Sequence, residues 1–300
     1  MPELPEVETT SRILNKEIKN LFIKDVWTDY LGKSAKYSIG IKSAEYFSNF
    51  NNKIVGKKVI GVERRAKNVL IKLSGENTVL IHMKMTGHLL YGSYDFNHGK
   101  WIPKDDGALK DPYNRFVHLA FSLSNGKKLV LSDARKFAKV LLLSGGECLE
   151  KEFCETGPEP LDKSFSFKIF SERIAKRLKG KIKSVLMDQK IIAGIGNIYS
   201  DEILWTSSVN PEQKAENLTE KQKKEIYKNI SIILNKSLKL GGDSMSDYRN
   251  PYGEKGKFQN FHKVYRRVGE KCLKRGCKGI IKRIIVGGRS AHFCPVHQNI

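Results

Sequence analysis

Apolar positions change their spacing three times along the chain. Residues 5–20 (PEVETTSRILNKEIKN) set Val7, Leu14 and Ile18 on a partial helical stripe. Pro5 suits a first turn, and Glu6 and Glu8 suit its positive end, so the stretch predicts an N-terminal helix. From about residue 21 to 143 the stripe gives way to short alternating or wholly apolar runs: KKVIGVER, NVLIKL, TVLIHMKM, FVHLAFSL and KLVLSDARKFAKVLLL. Turn signals such as Ser74-Gly75 and Asn125-Gly126 separate them. Many short strands between turns predict an antiparallel sandwich or barrel. Segment 92–114 reads as a long loop with no assigned role.

The stretch from Ser144-Gly145-Gly146 to Pro158-Glu159-Pro160 reads as a linker. Helical spacing then returns at 164–179, 181–190, 197–207 and 219–240, and Gly241-Gly242 closes the last of these. The polar, Gly-rich segment 243–261 predicts a mobile loop, and the last forty residues a small β-hairpin module. The expected fold is α+β and multidomain. It comprises an N-terminal antiparallel β-sandwich with a flanking helix (1–145), a linker (146–163), a helical domain ending in the loop (164–261), and a C-terminal ribbon (262–300).

Charge sharpens this picture. The 300 residues carry 54 Lys and Arg against 32 Asp and Glu, a net charge of +22. So large an excess points to a polyanionic partner, nucleic acid or an anionic membrane. No apolar run approaches the roughly 18 residues of a spanning helix, and the N-terminus lacks a secretory pattern. A membrane partner and a secreted chain are therefore not expected, and the apolar content of 40% argues against disorder. Residues 251–300 hold 12 Lys and Arg against 2 Asp and Glu, so the ribbon is the first place to look for a grip on nucleic acid.

Three of the five cysteines, Cys272, Cys277 and Cys294, lie in that basic ribbon. An odd, clustered count argues for metal ligation over disulfides. Cys272 and Cys277 form a C-x4-C pair; after sixteen residues comes Cys294 and, with two residues between, His297. Two close pairs separated by a hairpin-length gap suit one tetrahedral structural zinc ion, with His292 as a substitute ligand. So small a module buries little core, and the metal would supply its folding energy.

Candidate chemistry also gathers at the other end. Removal of Met1 would leave Pro2 with a secondary amine, whose pKa of about 7.7–8.0 leaves part of it unprotonated at neutral pH. Such an amine attacks an aldehyde-like carbon and yields an iminium ion. A buried Glu3 or Glu6 would serve as a general acid beside it.

The string PELPEVET, with these residues, resembles the start of the formamidopyrimidine-DNA glycosylase family, relatives of endonuclease VIII, and the resemblance runs over nearly the whole chain. It implies Pro2 as nucleophile on C1′ of a damaged nucleotide, Glu3 as acid and Glu6 as supporting carboxylate. Arg64-Arg65-Ala66-Lys67 resembles the family's RRGKYLL-like motif and makes Lys67 the catalytic lysine; Ala66 stands where the family often has Gly. Read alone, that basic cluster is a solvated strand edge.

IHMKMTGHL (81–89) and SDARKFA (132–138) resemble the family's IHLGMTG and TDPRRFG patterns. An enzyme acting on a base inside a duplex must extrude it and fill the gap. Met85, Arg135 and Phe137 supply an apolar wedge, a hydrogen-bonding cation and a ring for that purpose, and the resemblance gives His82 a phosphate contact. Gly194-Ile195-Gly196-Asn197 is a tight turn opening a helix with Asn197 as N-cap, an anion-binding arrangement. Its surroundings resemble the family's helix–two-turns–helix motif. Asn197 then holds the phosphate beside the lesion, Lys183 reaches the backbone or the flipped base, and Glu202 orders the motif.

In the ribbon, VYRRVGEKC…GGRSAHFC resembles the family's zinc finger, with C-x4-C in place of C-x2-C and a terminal His in place of Cys. Arg289 matches the arginine that grips phosphate, where a bidentate guanidinium outperforms an ammonium; Tyr265 is a further phosphate candidate.

The implied activity is a bifunctional glycosylase and AP lyase for oxidised purines in base excision repair. It would act on double-stranded damaged DNA as a nucleoid-associated, cytoplasmic monomer, with zinc and no nucleotide cofactor. The PELPE start and the long 243–261 loop favour it over an endonuclease VIII-like enzyme for oxidised pyrimidines. A non-catalytic zinc-ribbon DNA-binding protein is the alternative of another class.

Overall fold

The computed structural model describes residues 1–31 and 40–299. Residues 32–39, part of the expected strand region, lie outside the described residues. The chain forms two compact units: Met1–Cys154 with Leu240–Lys257, and Glu155–Lys239 with Phe258–Ile300.

The first unit opens with helix α1 (Leu4–Ile18), which a capping box starts: Glu3 accepts from the helix backbone and Glu6 accepts from the Glu3 N–H at 2.7 Å. Two four-stranded antiparallel sheets follow. One has the order β1 (Ile23–Thr28), β8 (Val117–Leu123), β9 (Lys128–Ser132), β5 (His88–Gly92). The other has the order β10 (Lys139–Ser144), β4 (Asn77–His82), β3 (Asn68–Leu73), β2 (Val59–Arg65).

Period-two alternation turns Val26, Leu119, Phe121, Leu129 and Leu131 of the first sheet into the same core as Val62, Val69, Ile71, Val79 and Ile81 of the second. Helix α1 and helix α2 (Ala44–Ile54) add Val7, Leu14, Ile18, Phe50 and Ile54 to that core. Each such side chain, taken fully from water, contributes about 1.5–3 kcal/mol. The expected sandwich is present.

Segment 92–114 differs from the long loop read in the sequence. It contains the hairpin β6 (Tyr94–Asn97) and β7 (Lys100–Pro103) and two short 3-10 turns. Tyr94, Trp101 and Leu109 join Trp27, Leu90, Val117, Ala120 and Val130 in a second apolar cluster. That cluster requires cover, which explains why a polar-looking stretch is ordered. The 146–163 stretch contains helix α3 (Gly146–Phe153), and the compact units place Leu240–Lys257 with the sandwich.

The second unit comprises α4 (Phe167–Ala175), α5 (Ile182–Met187), α6 (Asn197–Thr206), α7 (Glu220–Lys239) and the hairpin β11 (Lys282–Val286) and β12 (Arg289–Phe293). Trp205 of α6 packs with Val264, Cys272, Ile281 and Cys294, which fixes the ribbon to the helices. No described helix is long and apolar enough to cross a membrane.

Candidate functional site

In the first unit, the N-terminal corner is built around two carboxylates. Pro2 is buried, and Glu3 and Glu6 are 2% and 1% exposed. The Glu6 carboxylate accepts the Glu3 N–H on one oxygen and the Asp243 N–H, at 2.7 Å, on the other. The segment after α7 reaches this corner closely: a Cβ on Gly242 would lie 2.9 Å from Glu6 Oε1, and φ there is +87°. Only glycine fits.

The same segment, read from its composition as a mobile loop, is hydrogen-bonded at several points to the rest of the first unit. Tyr248 donates to the Glu6 carbonyl at 3.0 Å, Tyr252 to Glu17 at 2.8 Å, and Tyr91 N–H to the Pro251 carbonyl at 2.7 Å. Arg249, 1% exposed, forms an ion pair with Asp111 and lies 4.8 Å over the Tyr113 ring. Sequence reading missed this clasp because its halves are far apart in the chain and one half lay in the supposed loop 92–114.

Lys67 lies in the β2–β3 turn and is 6% exposed. Ala66 before it has φ +53°, the left-handed conformation that favours glycine. Arg64 holds the turn by donating to the Ala66 carbonyl at 3.1 Å and to Glu8 at 2.7 Å. Burial raises the Glu8 pKa, but Arg64 and then Arg12 outweigh it, so Glu8 stays ionised.

The proposed void-filling residues project from two turns of the same unit. Met85 is 43% and Phe137 48% exposed, unlike core residues, and the Arg135 guanidinium lies 4.4 Å over the Phe137 ring. Between the turns stands Asp133, wholly buried, whose Oδ1 accepts the Thr86 hydroxyl at 2.5 Å. Neither residue stood out in the sequence. His82 accepts the Lys84 N–H on Nδ1 at 3.0 Å, and burial, with Lys84 and Lys67 nearby, pushes its pKa down to about 3. It is a neutral imidazole, a hydrogen-bond donor through Nε2 and not a cation.

In the second unit, Gln189 shapes the turn between α5 and α6. Its amide donates to the Met187 and Ile195 carbonyls and accepts the Gly194 N–H, each at 2.8 Å, and Gly194 has φ +86°. The cap position at the start of α6 belongs to Gly196, not Asn197 as read from the sequence. Asn197 is the first helical residue, half-buried, and its Oδ1 is buried without a hydrogen-bond partner among the described residues. Two glycines before it leave no other side chain to cap the helix.

Glu202, read as ordering the two-turn motif, instead ties α6 to the segment before the ribbon: its carboxylate accepts the N–H groups of Lys263, Val264 and Tyr265 at 2.9–3.0 Å. Those bonds fix the Tyr265 backbone, and its ring lies 5.0 Å from that of His292.

Lys183 is placed otherwise than expected. It has no exposed side-chain surface and pairs with the equally buried Asp201. Asp201 also takes the His292 backbone N–H at 3.0 Å and ring Nδ1 at 2.8 Å. The Lys183 ammonium is thus taken up by Asp201, and His292 is committed away from the candidate metal site. Arg289 is exposed beside the Gly287-Gly288 turn, where both glycines have positive φ.

Cys272, Cys277, Cys294 and His297 bring their ligand atoms within 4.8 Å of one another. His297 Nδ1 lies 3.3 Å from Cys272 Sγ, and the sulfurs of Cys277 and Cys294 lie 3.6 Å apart. A tetrahedral site with metal–ligand bonds of about 2.0–2.3 Å has edges of about 3.3–3.8 Å, which these two distances match, so the four residues could hold a metal ion. The His297 Nε2–H donates to the Trp205 carbonyl at 3.2 Å, leaving Nδ1 as the ligand atom. Gly279 is required here, because its Cβ would stand 2.4 Å from Cys294 Sγ.

The two-turn element between α5 and α6, with the ribbon packed on it, defines the helix–two-turns–helix class of DNA glycosylases. The model of the formamidopyrimidine-DNA glycosylase N-terminal domain matches residues 1–140, and that of the family's H2TH domain matches residues 156–249. The chain belongs to the formamidopyrimidine-DNA glycosylase family.

Among its relatives, the formamidopyrimidine-DNA glycosylase of Herpetosiphon aurantiacus is 35% identical, covering 99% of this chain and 100% of its own. That of Carboxydothermus hydrogenoformans is 37% identical over 98% of each. The fold is similar to that of the Lactococcus lactis enzyme in a complex with abasic-site DNA (TM-score 0.83, 32% identity, 99% and 100% of the chains). It is equally similar to MutM in complex with DNA containing carbocyclic 8-oxo-G (TM-score 0.82, 32% identity, all of both chains).

Proposed function

We propose that this protein is a bifunctional DNA glycosylase and AP lyase of base excision repair, which removes oxidised purines from double-stranded DNA. The observation that carries the reading is the corner at Pro2, where two enclosed carboxylates flank the start of α1 and the 240–257 segment closes over Glu6. Relatives of this family have been captured on DNA containing 8-oxo-G and Fapy-dG, which sets the substrate class.

Once Met1 is removed, the Pro2 amine attacks C1′ and Glu3 protonates the ring oxygen as the sugar opens. The bond from C1′ to the base breaks and the base leaves with its bonding pair and a proton. The iminium then makes the C2′ proton acidic; its loss expels the 3′ phosphate, and a second elimination expels the 5′ phosphate. Lys67, at the mouth of its turn, is the candidate for proton transfer, and Glu6 fixes the Glu3 backbone.

Asn197 and Arg289 grip phosphates, His82 and Tyr265 are further backbone contacts, and Met85, Arg135 and Phe137 fill the place of the extruded base. The metal held by Cys272, Cys277, Cys294 and His297 is one zinc ion, which supplies folding energy to the ribbon and no chemistry. The enzyme works as a monomer on cytoplasmic, nucleoid DNA.

Borohydride trapping on duplexes bearing 8-oxoguanine, an oxidised pyrimidine or an abasic site tests the reading. A stable adduct mapped to Pro2 on the 8-oxoguanine duplex is expected. Trapping on the pyrimidine lesion alone would replace the substrate class. No adduct on any duplex, from protein lacking Met1, would sink the catalytic reading.

A further inference from the structure

Met85 sits on the turn after β4, whereas Arg135 and Phe137 sit on the turn between β9 and β10. All three must enter a duplex together if they are to replace one base, yet nearly fifty residues separate the two turns (|i−j| = 49 for Arg135 and Thr86). Each turn contains a non-glycine residue in the left-handed region, Lys84 at φ +56° and Lys136 at φ +54°. Such turns persist only where the surroundings over-determine them.

What over-determines them is one carboxylate. Asp133 Oδ1 accepts the Thr86 hydroxyl at 2.5 Å and the Arg135 N–H at 3.3 Å; Oδ2 accepts the Ala138 N–H at 2.8 Å and the Tyr30 hydroxyl at 3.3 Å. Thr86 Oγ1 also accepts the Arg135 N–H, at 3.2 Å. Thr86 and Asp133 thereby join the Met85 turn to the Arg135–Phe137 turn at a point where no side-chain surface of Asp133 is exposed. A fully satisfied buried network of this kind fixes relative position more than it adds stability.

We infer that Asp133 and Thr86 are positioning residues for base extrusion: they pin the two turns together so that Met85, Arg135 and Phe137 insert as one preorganised unit. Insertion then incurs little ordering cost, because the cost has been met in folding. The inference rests on the proposed glycosylase function and concerns only the extrusion step, since abasic DNA presents no base to extrude.

Thr86→Val removes the hydroxyl at constant shape, and the measurement is single-turnover excision of 8-oxoguanine beside cleavage of a ready-made abasic site. Displacing one wedge turn is expected to slow excision about tenfold and abasic cleavage by less than about twofold. On a Met85→Ala background the same change should cost less than about twofold further, because the element it positions is gone. Thr86→Ser keeps the hydroxyl and should restore excision. Thr78→Val, a buried threonine of β4 outside this network, controls for general destabilisation.

Equal losses on both substrates, a full additional loss on the Met85→Ala background, or unchanged excision by Thr86→Val would each overturn the inference. Wild-type protein that traps on no duplex would instead remove the function on which it rests.

Discussion

Asp201→Asn tests how the second unit is held together. Asp201 stands with no exposed surface between the Lys183 ammonium on one oxygen and the His292 backbone and ring nitrogens on the other. Because a carboxylate only accepts, His292 donates through Nδ1–H. An asparagine offers one acceptor where two sets of donors converge. Whichever way it turns, its NH2 faces either the ammonium or the His292 donors.

Breaking a buried pair from one side typically costs about 3–5 kcal/mol, and for a chain of this size each kcal/mol lowers Tm by about 2–4 °C. The expected fall is therefore about 6–20 °C, read by thermal and urea unfolding of the metal-loaded full chain followed by circular dichroism. Removing the stranded charge as well, in Lys183→Met/Asp201→Asn, should recover at least about half of the loss, since an apolar replacement of a buried pair is often neutral. An Asp201→Asn shift below about 0.5 kcal/mol, or a double variant no more stable than the single, would refute the reasoning. Lys183→Met should also leave the salt dependence of DNA binding unchanged; a shallower slope would return Lys183 to the DNA surface.

Ala66→Gly should raise stability by about 0.5–1 kcal/mol, the relief of a left-handed alanine less the freedom glycine gains in the unfolded chain, read as a higher urea midpoint at constant m. The folded state holds His82 neutral down to about pH 3, whereas the unfolded chain protonates it near 6.5, so stability is lost as pH falls between those values. His82→Gln should flatten the dependence of unfolding free energy on pH below 6.5 by up to about 1.4 kcal/mol per pH unit; an unchanged slope would mean that His82 is not the group responsible. Chelation should remove one equivalent of zinc and unfold the ribbon, and His297→Ala should weaken metal retention; full retention by that variant would require a different fourth ligand.

Much of the architecture was legible because local patterns carried it. Alternation marked the sandwich strands, Gly194 and Gly196 marked the two-turn element, and the spacing of Cys272, Cys277, Cys294 and His297 marked the metal cluster. What escaped has no local signature. Lys183 read as a DNA contact and Asp201 as an ordinary polar helix residue, and only the tertiary fold shows them enclosed with His292. Asp133 looked like one charge in a basic turn. The clasp of Arg249 on Asp111 joins segments |i−j| = 138 apart, and each alone resembles a solvated loop. Asn197 was misplaced by one position because an asparagine after glycine is a strong cap signal, yet Gly196 has the extended backbone of the cap.

The 240–257 segment also sets an order of events during synthesis. Glu6 leaves the ribosome well before the Asp243 N–H that holds one of its oxygens, which lies 237 positions later. Tyr248 and Arg249, which fasten that segment to the sandwich, come later still. A nascent or truncated chain ending at Cys154 thus has its strands but not the closed corner at Pro2. The corner is therefore completed only on chains that already possess helices α4 to α7 of the second unit.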